Sequence, residues 1–231
     1  MAFERRFFSV MACAIALVGL STSASASIIG TGCVVSGNPG QTVPSSVAAF
    51  MSECTGGTVV SPGEYTFSAP DTLLMNLGSG TTPNTGAELI SALGGTLLTN
   101  AAAAAFSPAT SGSAGNGGDS TVWDLHETNI VPGTYTVTLT HDDGLVLLNG
   151  TSIVAGLNSP APTNAITSSG TFTVAAGGTI DLLYVQCCNF PSVLTGTMPA
   201  EVVPEPSVLS LVGVVLLGIG TLVRRKRASL N

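Results

Sequence analysis

Positive charge is what this 231-residue chain lacks most. Its six basic residues sit at the two ends: Arg5 and Arg6 near the start, Arg224, Arg225, Lys226 and Arg227 near the finish. Between residues 27 and 203 there is no Lys or Arg, yet eleven of the thirteen acidic residues fall there, all but Glu4 and Glu205. A body without one fixed positive charge cannot neutralise phosphates, so no nucleic-acid partner is expected, and nucleotides and anionic headgroups suit it poorly. Cations and neutral ligands remain. Charged residues make up only 8% of the chain and apolar ones 45%, but apolar runs near the ~20 residues of a membrane span occur only at the termini, which excludes a multi-span protein. The roughly 175 residues between them suit one domain able to bury a core.

Signatures of common catalysis are missing too. The chain has no nucleophile elbow, HExxH pair or phosphate loop, and no Cys-x-x-Cys spacing that would suggest zinc. The expected protein is not an enzyme.

Both ends read as addresses. Arg5 and Arg6, the apolar residues 7–20 and the small-x-small site Ala24-Ser25-Ala26 form a secretory signal, with cleavage after Ala26. Residues 1–26 are therefore expected to be a signal helix that is removed. At the other end, Pro204-Glu205-Pro206 precedes an apolar run and the basic cluster Arg224, Arg225, Lys226 and Arg227. The run, over residues 207–223, is expected to be a transmembrane helix; its apolar part, 208–223, reaches about 24 Å, short of a ~30 Å hydrocarbon core. The basic cluster marks the cytoplasmic side and leaves the body outside. In order, spacing and position, residues 203–228 resemble the PEP-CTERM sorting signal. That resemblance implies an exosortase-type processing protease near the Pro-Glu-Pro motif, transient residence in the inner membrane, and a cell surface or exopolysaccharide matrix as destination.

The body, residues 27–200, reads as mainly β, an antiparallel β-sandwich with few short helices. In its first part, short strands are expected at 58–60 and 64–68 and short helices at 87–93 and 100–106, with Asn100 as N-cap and 108–119 as a loop. From residue 121 the pattern strengthens. Tyr135, Val137 and Leu139 alternate with Thr136, Thr138 and Thr140, the mark of a half-buried strand with a Thr-lined face. His141-Asp142-Asp143-Gly144 makes a corner, 145–148 is a wholly apolar strand, and Asn149-Gly150 is a turn. Further strands are expected at 153–155, 171–175 and 180–186.

Once the signal carrying Cys13 leaves, four cysteines remain: Cys33, Cys54, Cys187 and Cys188. An even count in an oxidising compartment predicts two disulfides. The closeness of Cys33 and Cys54 favours a local clasp, which leaves Cys187 and Cys188 to each other; the alternative ties the N-terminal segment to the last strands. A vicinal bridge is unusual, since adjacent Cα atoms are only ~3.8 Å apart.

Asp142 and Asp143 are adjacent carboxylates in a body with no Lys or Arg to pair with either. Two such charges repel, and consecutive strand side chains point to opposite faces, a difficulty that a cis peptide bond removes. A divalent cation is one answer, because Ca²⁺ takes six to eight oxygens and carboxylates with loop carbonyls supply them. An ordinary Asp-Gly hairpin turn is the other.

Gly133-Thr134-Tyr135-Thr136-Val137-Thr138-Leu139-Thr140-His141-Asp142-Asp143-Gly144, with the apolar strand and turn that follow, resembles the core of the protective-antigen-type sandwich shared with flocculin and GLEYA adhesins. Tyr184-Val185-Gln186-Cys187-Cys188-Asn189-Phe190 is similar to that family's late strand and ligand-side loop. The resemblance spans roughly residues 121–197. It implies that Asp142 and Asp143 hold Ca²⁺ through a cis-linked pair, with Asn189 as third ligand, and that sugar hydroxyls are bound through the ion. His141 and Gly144 are candidate ligand-binding neighbours, and Trp123, the sole Trp, is a candidate platform for a sugar face or else a core residue. The expected function is a Ca²⁺-dependent carbohydrate-binding module acting on extracellular polysaccharide. A structural surface or matrix spacer with no ligand is the alternative.

Overall fold

Alternation writes the sandwich most plainly in the strand that carries the acidic pair. In a computed structural model that describes residues 27–36, 42–56, 59–78, 85–106, 119–187 and 191–199, this strand turns Val137, Leu139 and His141 inward. Thr134, Thr136, Thr138 and Thr140 face out and pair with Thr173, Thr171, Ser169 and Thr167 of a neighbouring strand, Oγ to Oγ at 2.8–3.0 Å. The Thr-lined face predicted from the sequence is thus a ladder of cross-strand hydroxyl pairs.

Eleven strands are described: β1 (Ser27–Val35), β2 (Tyr65–Pro70), β3 (Thr72–Leu77), β4 (Thr96–Leu97), β5 (Ser120–Glu127), β6 (Gly133–Asp142), β7 (Leu145–Asn149), β8 (Ser152–Ser159), β9 (Ile166–Val174), β10 (Ile180–Gln186) and β11 (Ser192–Thr197). They form a seven-stranded sheet, β4-β2-β1-β5-β10-β7-β8, and a four-stranded one, β3-β11-β6-β9. Neighbours run antiparallel, as the sequence predicted. Three short helices accompany them: α1 (Val47–Thr55), α2 (Gly86–Leu93) and α3 (Ala101–Ala104).

Burial on both faces explains why β7 and most of β10 read as continuous apolar runs instead of alternating ones, and β5, with polar residues among its apolar ones, is buried on both faces too. Trp123, Leu125, Leu145, Leu147, Leu182 and Tyr184 enter the core between the sheets. On the outer face Val122, Val146, Leu148, Leu183 and Val185 form a second cluster with Phe50 and Cys54 of α1. At Gly32 of β1 a Cβ would lie 2.6 Å from the Trp123 and Tyr65 rings, so the aromatic packing requires glycine there.

Helix α2 matches the expected 87–93 closely. A capping box between Thr85 and Glu88 starts it, and Gly94 at φ +83° ends it in the left-handed region. Asn100 caps α3 as expected, but the helix stops at Ala104. The strand expected at 58–60 is only an isolated bridge of Val59 to Val35. Strands β1, β3, β4, β5 and β11 and helix α1 were not anticipated. The signal residues 1–26, residues 203–228 with Pro204, Glu205, Pro206 and the basic cluster, Cys188, Asn189, and 108–118 of the expected loop lie outside the described residues. Among the described residues no helix is long and apolar enough to cross a membrane.

The Cys33–Cys54 clasp is present, with Cα atoms 5.7 Å apart, and fastens α1 onto β1. Cys187 is also disulfide-bonded. Because the clasp closes a 21-residue separation, loop-closure entropy predicts a loss of about 3 kcal/mol in the Cys33→Ala/Cys54→Ala variant. Urea denaturation measures it; an unshifted midpoint would show that α1 is held by packing alone.

Candidate functional site

Strand β6 ends at Asp142, and the peptide bond joining it to Asp143 is cis. Gly144 then leads into β7. Here a Cβ would lie 2.4 Å from the Pro160 carbonyl oxygen, so the corner closes against the β8–β9 loop only because the residue is glycine. Both carboxyl groups are buried, each residue 4% exposed.

Backbone amides surround them. The Cys187 N–H donates to Asp143 Oδ2 at 2.7 Å, the Thr163 amide donates to the same side chain, and the Ala165 amide donates to Asp142. Gln186 Nε2 approaches Asp143 Oδ2 at 3.5 Å. The two carboxyl groups also hydrogen-bond to each other, which requires a proton on one of them. Burial pushes Asp143 up to about 8; the amides of Cys187 and Thr163 pull against it, and the charge of Asp142 adds to it. Asp142 is raised as well, again chiefly by burial. Near neutral pH the pair keeps a proton because burial disfavours the charged form, and no Lys or Arg among the described residues offsets it.

His141 was a candidate ligand contact, and the structure corrects this. It is 0% exposed; Nδ1 donates to the Asp143 carbonyl at 2.6 Å, which leaves Nε2 to accept from Ser168 Oγ at 2.9 Å. Burial lowers its pKa, opposed by the bond to Asp143, so the ring is neutral and orients the corner. Gly144 likewise serves close packing, and its carbonyl accepts from Val185 N at 3.1 Å. Of its two readings, Trp123 fits core by its burial and not a sugar platform. It is 0% exposed, packs on Phe67 and Tyr184 with centroids 4.9 and 6.0 Å away, and donates Nε1–H to Tyr65 Oη at 2.8 Å.

Residues that the sequence reading passed over complete the site. The Tyr184 hydroxyl lies among the Asp142 carbonyl, Gln186 Oε1 and the Val193 carbonyl, and so links the aromatic core to the acidic corner. Tyr184 and Gln186 are two apart on β10 and share a face, a spacing visible in the sequence. Thr163, Ala165 and Ser168 could not be found that way, because two of them act through main-chain amides.

A second acidic group lies elsewhere. Asp181, at the start of β10, faces His126 of β5 and bonds its Nδ1. Asp124 is pushed up to about 7 by burial first and by Asp181 next, with His126 opposing. Among the described residues no three His, Cys, Asp or Glu side chains are arranged to hold a metal. Asp142 and Asp143 therefore offer a two-carboxylate start to a site. Their donor chemistry fits a hard divalent cation: every free donor is an oxygen, the His141 nitrogens are engaged, and the described cysteines are in disulfides.

No protein-family model matches the chain, and no curated protein matches it. Among solved structures, a PA14 sugar-binding domain from an RTX adhesin is similar at 15% identity and a TM-score of 0.48, over 77% of this chain and 99% of that one. The PA14 domain of the MpAFP antifreeze protein is similar at 15% identity and a TM-score of 0.44, over 77% of this chain and 88% of that one.

Proposed function

We propose that the body is an extracellular, non-catalytic binding domain in which Asp142 and Asp143 hold Ca²⁺ and the ion receives hydroxyls of a neutral carbohydrate. One observation carries the reading: two buried carboxyls in contact, in a body with no Lys or Arg. A bound divalent ion replaces the shared proton and removes the repulsion between the two charges. Two carboxylates leave most of six to eight coordination positions open. Backbone carbonyls, water and, by the family resemblance, Asn189 would supply further donors, and a vicinal diol of a sugar two more. A neutral sugar fits because the surrounding protein is anionic throughout.

Export, processing by an exosortase-type protease near Pro204-Glu205-Pro206, and residence at the cell surface or in the exopolysaccharide belong to the same proposal and rest on the terminal motifs. Calorimetry tests the site. Ca²⁺ is expected to bind one to one, and the isosteric Asp143→Asn variant to lose at least about tenfold in affinity, since it removes a charged ligand. Absence of heat at millimolar Ca²⁺ would leave the spacer reading in its place.

A further inference from the structure

The loop of residues 160–165, between β8 and β9, is tied to the acidic corner at three points. The Pro160 carbonyl accepts from Val43 N at 2.9 Å and lies where a side chain on Gly144 would be. The Thr163 amide donates to Asp143 and the Ala165 amide to Asp142. Pro160 and Pro162 fix φ at their own positions and hold Ser159 and Ala161 extended, so the loop reaches the corner already shaped.

Asn164 sits between the two donors. Its Cα is ~3.8 Å from that of each neighbour, and both neighbours' amides touch the carboxylates. Its side chain is exposed and that of Thr163 half-buried, whereas His141 is taken up by Asp143 and Ser168, and Gln186 by Tyr184 and Asp143. A carboxamide donates and accepts without charge, which suits a sugar hydroxyl.

We propose that Asn164 is the specificity-determining side chain of this site, hydrogen-bonding hydroxyls of the neutral saccharide that ligates an ion on Asp142 and Asp143. The inference rests on the Ca²⁺ reading above. The test uses the exported protein with its disulfides formed, titrated first with Ca²⁺ and then, at saturating Ca²⁺, with glucose, galactose, mannose and fucose. Asn164→Ala is expected to keep the wild-type Ca²⁺ affinity and melting temperature, to weaken the preferred sugar about tenfold and to flatten the preference among the four. Asn164→Asp is expected to tighten Ca²⁺ binding, because it adds a charge beside the pair, while also disturbing the sugar profile. Unchanged sugar affinities in both variants overturn the role of Asn164 and leave the ion site standing. Wild-type protein that takes up no Ca²⁺ overturns the ion site and this inference together; wild-type protein that takes up Ca²⁺ but none of the four sugars overturns the inference and the carbohydrate part alone.

Discussion

Trp123→Ala is expected to destabilise the body by about 3–5 kcal/mol, enough to leave little folded protein if its total stability is the usual 5–15 kcal/mol. Trp123 is fully buried where β1, β5 and β10 meet, ringed by Tyr65, Phe67 and Tyr184. Its removal opens a cavity that rigid strands cannot close and strips the Tyr65 hydroxyl of a donor. Trp123→Phe keeps most of the volume and is expected to recover more than half of the loss. Urea denaturation of both variants measures the difference. A midpoint within error of wild type in Trp123→Ala would return this residue to the surface, where a sugar platform would need it.

The second large effect is a dependence of stability on pH that calcium reverses. Asp124 is held near 7 and Asp143 near 8 in the folded protein, and Asp142 is raised. Groups whose folded pKa exceeds the unfolded value keep protons that the unfolded chain has released. The stability these groups contribute is therefore fully present below their ordinary pKa near 3.8 and is lost as pH rises through 7 and 8. For Asp124, which is only 7% exposed, the displacement from 3.8 to about 7 corresponds to on the order of 4 kcal/mol.

In chelator the melting temperature should drop between pH 5 and pH 8. Asp124→Asn should flatten part of that slope by removing its share. Millimolar Ca²⁺ should restore stability at pH 8 and do little at pH 5, since an ion at one hundred times its dissociation constant adds about 2.7 kcal/mol. Thermal melts across pH, with and without chelator, make the comparison. A flat profile in chelator would refute the raised carboxyls, and a chelator profile that Ca²⁺ leaves unchanged would refute the ion.

Strands with one wet face were legible in the sequence. β6 was readable because Thr and apolar residues alternate across its two environments, and the Asn149-Gly150 turn because Gly150 adopts φ +60°. Strand β1 escaped because its glycines, needed under aromatic rings that come from β2 and β5, look like breakers in one dimension. Helix α1 escaped because its apolar face is matched by an outer cluster on the larger sheet that exists only after folding.

The candidate site divides in the same way. Asp142 and Asp143 stood out because charge is scarce and positive charge absent, which is a property of composition. Tyr184 and Gln186 became part of the site through the pairing of β10 with its neighbours. Thr163 and Ala165 contribute amides whose usefulness no side chain announces.

By itself, then, the sequence determined the anionic character of the body, the sandwich class and the acidic pair. These follow from residue type and local spacing. Tertiary structure alone decided that Trp123 is core, that His141 is a buried brace and that a proline-stiffened loop holds Asn164 beside the carboxylates. Each depends on which distant segments meet, and burial and main-chain hydrogen bonding are set only when they do.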